Sequence, residues 1–214
     1  MSKQKALMHP AAKPVLFALC MLPIIWLIYR VATNGAGANP QEYLIRATGD
    51  WTLRFICIVL AVTPLKVITN TPGLLRFRRM IGLFVYFYVV VHLLSYSWFD
   101  MGFDVADIAK DIAKRPFILV GFLGFVLLTP LAATSFNAAI KTMGVKRWQL
   151  LHKLVYLISG LGLLHFFWMR AGKNNFAEVF FYAAIIAVLL GWRVRQYLVK
   201  KKAASQQIRA RAAV

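Results

Sequence analysis

The sequence predicts an all-α integral membrane protein, a six-helix transmembrane bundle with both termini cytoplasmic. Three observations carry that expectation. Of the 214 residues 60% are hydrophobic, with a mean hydropathy of +0.65, above what soluble domains reach. Six apolar stretches are each long enough to cross a hydrocarbon core, which takes about 20 helical residues for ~30 Å. The charges between those stretches are sorted by sign, and that sorting sets the orientation.

The spans are expected at 14–32, 51–69, 80–99, 116–134, 150–169 and 177–197. The first opens at Pro14 and carries Pro23; basic residues precede it and no small-residue cleavage site follows, so it reads as a retained helix. The second and fourth end near Thr63-Pro64-Leu65 and Thr129-Pro130-Leu131, where proline removes a backbone donor and kinks or tilts the last turn. The third and fifth each hold a histidine deep in apolar sequence. The sixth runs into a basic Ala/Gln/Arg tail. The organisation expected is a 1–13 cytoplasmic segment, one 14–197 transmembrane domain and a 198–214 tail.

One side collects Lys3, Lys5, Lys13, Lys66, Arg76, Arg78, Arg79, Lys141, Lys146, Arg147, Arg193, Arg195, Lys200, Lys201, Lys202, Arg209 and Arg211, without a single acid. All the acids, Glu42, Asp50, Asp100, Asp104, Asp107, Asp111 and Glu178, fall on the other side. The positive-inside rule places the basic side in the cytoplasm. The net charge of +19 is therefore a topology signal, helped by the anionic inner leaflet, and gives no reason to expect nucleic acid. Cys20 and Cys57 lie within spans, without C-x-x-C spacing, and read as small buried hydrophobes. Gly35-Ala36-Gly37 lacks the strand and the spacing of a dinucleotide fingerprint.

His92 and His165 are the chemically informative residues. An ionisable ring in hydrocarbon is expensive and marks a functional site by default. By alternation the third and fifth spans run the same way. His92 stands 12 residues past the inner end of its span, ~18 Å, and His165 15 residues past, ~22 Å. Two rings at one depth, in the outer half of the membrane, suit one haem iron held between them in the bundle interior. Packing histidines bonded to backbone carbonyls, and a proton relay, are the alternatives. His152 is 13 residues before His165, ~20 Å lower, and on an ideal helix the two differ by about 220° in facing; Gly160 and Gly162 between them offer room for distortion. At the depth of His152 the third span presents Arg78. An inner site would then have one histidine ligand, and the alternative for His152 is a ring among headgroups. His9 reads as solvated.

Arg78-Arg79-Met80-Ile81-Gly82-Leu83 with His92-Leu93 and Tyr96, and Lys146-Arg147-Trp148-Gln149-Leu150-Leu151-His152-Lys153-Leu154-Val155-Tyr156 followed by His165, resemble the ferric-reductase-like transmembrane domain, whose superfamily includes NADPH oxidases and ferric reductases. The short chain, Asn39-Pro40 and Thr63-Pro64-Leu65 are similar to one bacterial branch, the haem-binding membrane subunits of a periplasmic protein-methionine-sulfoxide reductase system. The resemblance implies His92 and His165 as ligands of an outer haem b iron, and His152 as the inner cofactor ligand. The family's inner histidine on the third span falls at Arg78, which departs from the two-haem pattern. It also implies bound FMN, a periplasmic molybdenum-containing reductase subunit as acceptor, a quinol or cytosolic flavin reductase as donor, and a bacterial inner-membrane location. On this reading the chain is an electron-transfer subunit and not itself the reductase.

Other residues carry two readings each. Arg78 and Arg79 suit a haem propionate or flavin phosphate, or plain positive-inside signalling. Arg54, inside the second span, must snorkel or meet a propionate. Gly82, Gly121, Gly124, Gly160 and Gly162 admit a flat macrocycle or pack helices. Trp51, Trp98, Trp148 and Trp168 suit an aromatic belt, with Trp148 also a cofactor shield. Against an electron carrier stand a proton-relay transporter and a non-redox anchor subunit.

Overall fold

The computed structural model describes residues 3–171 and 175–212, with side chains from Gln4 to Ile208 apart from 172–174. Among the described residues six helices are long and apolar enough to cross a membrane: Ala12–Ala32, Pro40–Ile68, Pro72–Phe99, Pro116–Ala133, Val145–Ala171 and Ala177–Ile208. Residues 172–174 and the side chains of Lys3, Arg209 and Arg211 lie outside the described residues.

The second span starts at Pro40, about three turns before the expected 51. Asn39 caps it, its side chain accepting from the Glu42 amide at 3.0 Å, and Pro40 at the first position is preorganised for a helix. This places Arg46, Thr48, Gly49 and Asp50 inside a helix and not in an outer loop. Pro64 and Pro130 both lie within the last turns of their helices, which end at Ile68 and Ala133. The last helix continues through the basic tail to Ala212, since its Lys, Ala, Gln and Arg are good helix formers with no glycine or proline among them. A short helix, Lys3–Met8, precedes the first span, and Val105–Lys114 and Asn137–Met143 lie in connections between spans. Val105–Lys114 starts on Asp104, whose carboxylate accepts from the amides of Ala106 and Asp107 at 2.9 and 3.0 Å.

The second and third spans form the closest pair, the fourth and fifth the next. The first span leans on the second and third through Phe17, Cys20, Phe55, Phe84 and Tyr88. At that contact the Tyr88 hydroxyl donates to Cys20 O at 2.9 Å and accepts from Ile24 N at 3.1 Å. Those two backbone groups would otherwise pair with each other, so Tyr88 is inserted into the helical ladder beside Pro23, a recognised way to bend a helix. The sixth span packs on the second and fifth through Leu53, Cys57, Phe166, Val179, Tyr182 and Ile186. Cys20 and Cys57 are buried free thiols.

The fifth span is broken. Val145–Leu151 ends at His152, a turn covers His152 and Lys153, and Leu154–Ala171 resumes. The rotational mismatch between His152 and His165 is therefore met by a break at His152, and not by distortion at Gly160 or Gly162.

A candidate cofactor site between the third and fifth spans

Among the described residues, two of the cavities are enclosed mainly by the second to fifth spans. The first, of about 330 Å³, is lined by His92 and His165 and reaches the acid-bearing face at Glu42, Arg46, Asp50, Asp100 and Arg115. The second, of about 320 Å³, is lined by Arg78, Arg79, Trp148, Gln149, His152 and Tyr156 at the basic face. Ile56, Leu128 and Ile158 line both and are almost wholly buried; they form an apolar partition between the two chambers.

In the first cavity the two imidazoles face one another with ring centroids 6.2 Å apart and planes at 76°. One metal ion between two imidazole nitrogens, with bonds of about 2 Å and ~1 Å from each nitrogen to its ring centre, needs roughly 6 Å. Both rings are already oriented for ligation. His92 Nδ1–H donates to Ile45 O at 2.8 Å and His165 Nδ1–H to Phe117 O at 2.7 Å. A carbonyl can only accept, so Nδ1 carries the proton and Nε2 keeps its lone pair, the arrangement that fixes a ligating histidine. The volume falls in the range of cofactor and ligand pockets. The residues present fit a flat, largely apolar group with a metal centre.

The mouth is charged. Arg46 pairs with Glu42, and Arg115 with Asp111 at 2.8 Å. The Tyr96 hydroxyl donates to Asp111 at 2.6 Å. Burial pushes the Asp100 carboxyl up; Arg115 opposes that rise, and Asp111 and Glu42 add to it. Beside the cavity Arg170 bridges Glu178 and, at 4.0 Å, Asp50. Asp50 Oδ1 is buried without a hydrogen-bond partner among the described residues.

In the second cavity His152 Nδ1–H donates to Trp148 O at 3.0 Å, and its ring lies 4.0 Å from the Trp148 ring, centre to centre. Its Nε2 is buried and unpartnered among the described residues. His152 is half-buried and lines this cavity. Trp148 is tied inward too, its indole N–H donating to Thr134 O at 2.9 Å. Arg79 donates to Asn137 at 2.7 Å. Arg78 lines the cavity, with no hydrogen bond or ion pair among the described residues. His9 is exposed.

Several expectations are redirected. Arg54 neither snorkels freely nor lines the cavity: it donates to the Tyr182 hydroxyl at 3.0 Å and lies over the Trp51 ring. Arg193, counted among the basic residues of the cytoplasmic side, turns inward to Tyr156 and to Leu60 O at 3.0 and 2.8 Å. Gly121 meets the His165 ring, while Gly124 and Gly162 line the first cavity and Gly82 the second. Gly49, which meets the His92 ring, lies outside the span that hydropathy predicts, and the sequence reading does not single it out. A lone glycine in a helical span is costly enough to ask for a reason, and that signal could have found it.

Comparison with known proteins follows the same line. A family model described as "Ferric reductase like transmembrane component" matches residues 48–163, more than half the chain. The match takes in Arg78, His92 and His152 and stops two residues before His165. A protein of Polaromonas naphthalenivorans (strain CJ2), named "Protein-methionine-sulfoxide reductase heme-binding subunit MsrQ", is 77% identical over 94% of this chain and 91% of its own. Proteins of the same name from Herminiimonas arsenicoxydans and Ralstonia nicotianae are 50% and 51% identical, over 85% and 86% of this chain and 84% and 85% of theirs. The chain belongs to the ferric-reductase-like transmembrane family and, within it, to the MsrQ family. It is a multi-pass membrane protein.

Proposed function

We propose that His92 and His165 are the axial ligands of a b-type haem in the first cavity, and that the chain carries electrons across a bacterial inner membrane to a periplasmic methionine-sulfoxide reductase subunit. The observation that carries this reading is the facing pair of imidazoles, each held through Nδ1 with Nε2 free. The names of the relatives support haem and the reductase system. A haem held there supplies one-electron transfer, with a potential set by its ligands and their surroundings. The chain's own residues bind and orient: the carbonyls of Ile45 and Phe117 aim the rings, and Arg46 and Arg115 offer guanidinium forks for carboxylates at the mouth.

His152 and Arg78 are the cofactor-binding candidates of the second cavity, where the orphaned Nε2 of His152 seeks a partner. FMN is expected from the resemblance, with no residues assigned to it. The catalytic partner on this reading is the molybdenum-containing subunit MsrP, and the donor is quinol or a cytosolic flavin reductase. Charge asymmetry supports cytoplasmic termini, with 14–197 as the cofactor-binding transmembrane domain between the 1–13 segment and the 198–214 tail. The chain transfers electrons and does not itself reduce methionine sulfoxide.

The test is a reduced-minus-oxidised visible spectrum of protein purified from haem-replete cells, followed by acid-acetone extraction. A b-type spectrum and complete extraction are expected, since no C-x-x-C-H attachment motif is present. A colourless protein, or haem that resists extraction, overturns the reading.

The acid-bearing face is the proposed docking surface for the partner, over 33–50, 100–115 and 170–176. Of its carboxylates Asp104 caps a helix and Asp111 holds Tyr96 and Arg115, so both also serve the fold. Asp100 and Asp107 are the cleaner probes. Neutralising both to asparagine is expected to slow haem reoxidation by the added partner severalfold at low salt, converging with wild type at high salt, because rim charges act on encounter. Unchanged rates at both ionic strengths remove the docking surface and leave the haem assignment standing.

A further inference from the structure

Ile45 and Gly49, and Phe117 and Gly121, are the same device used twice. In each pair a carbonyl at position i accepts the imidazole N–H of a histidine on a neighbouring span, and a glycine stands at i+4 beneath that ring. A helical carbonyl already receives the amide of residue i+4 and has a second lone pair to offer. Reaching it from the side brings the incoming ring over residue i+4, where a side chain would stand. A Cβ at position 121 would lie 2.8 Å from His165 Nδ1 and 3.0 Å from Cε1; at position 49 it would lie 3.1 Å from His92 Cε1 and 3.3 Å from Nδ1. The first of these distances is closer than such atoms approach, so the ring or the helix beneath it must shift, and the bond to Phe117 O is strained. The second asks for a shift of a few tenths of an ångström.

Glycine is the poorest helix former apart from proline, yet both positions lie within long spans. At Gly160, also within a span, an added Cβ would meet no foreign atom within 4 Å, so glycine alone does not make the arrangement. His152 lacks the device: its Nδ1 is bonded to Trp148 O, four residues earlier on its own helix.

We propose that Gly49 and Gly121 are positioning residues, sockets that let a neighbouring helix fix the tautomer and plane of each axial imidazole and thereby set the reduction potential of the metal between them. The inference rests on the reading of His92 and His165 as haem ligands. An Nδ1–H bonded to a carbonyl makes the imidazole a stronger donor, which favours the oxidised metal and lowers the potential. The two ring planes, at 76°, are held by two separate sockets, so disturbing one rotates one ring.

The experiment is a redox titration of full-length protein in detergent, with visible and electron paramagnetic resonance spectra. Gly121→Ala is expected to raise the midpoint by about tenfold in the oxidised-to-reduced ratio, ~59 mV for one electron, and to alter the low-spin signal. Gly49→Ala moves the same way by less, and Gly160→Ala matches wild type. If Gly121→Ala binds no haem, His165→Gly decides, reconstituted with imidazole or with 1-methylimidazole. Imidazole restores the wild-type midpoint, whereas 1-methylimidazole, which coordinates but cannot donate to Phe117 O, gives a higher one. A haem-loaded Gly121→Ala with wild-type midpoint and spectra overturns the sockets while leaving the ligands in place, and so do equal midpoints with the two imidazoles. Wild-type protein without haem overturns the ligand reading itself, and the sockets with it.

Discussion

Replacing His92 or His165 with alanine abolishes haem binding in the first cavity, each change being sufficient alone. Changing only the groups behind a ligating histidine costs about 10–100-fold in metal affinity, so removing the ligand is expected to cost on the order of 100-fold or more. Val89, Leu93, Phe122 and Phe125 in the lining have no atom that coordinates a metal. His152→Ala leaves that haem's absorption unchanged, because His152 lies in the other cavity, beyond the partition of Ile56, Leu128 and Ile158. Haem-to-protein ratio and the reduced spectrum of the three variants check this. Loss of the same haem in all three overturns the pairing of His92 with His165.

Arg170→Ala is expected to destabilise the protein markedly. Arg170 and Asp50 have side chains only 14% and 18% exposed, and the same guanidinium holds Glu178. Asp50 Oδ1 has no hydrogen bond among the described residues, so Arg170 is the nearest compensation for a carboxylate beside an apolar cavity. Breaking such a pair leaves an uncompensated charge and costs about 3–5 kcal/mol when fully buried; the residual exposure argues for about 3 kcal/mol. Adding Asp50→Asn to Arg170→Ala restores a good part of the loss, since the orphaned charge is then gone. Thermal unfolding in detergent measures both. A single variant that melts with wild type, or a double variant no better than the single, shows that the pair contributes little.

Much of the site was legible in the sequence. The six spans follow from apolar run length, and the pairing of His92 with His165 from counting residues along helices of known rise. Those quantities are local. The second helix began earlier than hydropathy suggested because Thr48, Gly49 and Asp50 read as a polar loop, whereas Asn39 and Pro40 had already started the helix. His152 and His165 were judged on one continuous helix, and a turn at His152 removes that premise.

Lateral contacts were not legible. Arg54 turning to Tyr182, Arg193 reaching Tyr156 and Leu60, and Tyr88 entering the ladder of the first span all join residues more than 35 positions apart. Nothing in hydropathy says which face of one helix meets which face of another. What the sequence by itself determined was the number of spans, the separation of charge between the two faces, and two imidazoles at one depth in the membrane. The tertiary structure alone decided that those imidazoles face each other, that Ile45 and Phe117 hold them and that Gly49 and Gly121 make room. Depth is a sum along a single chain, whereas facing depends on the crossing and rotation of packed helices, which a local pattern does not encode.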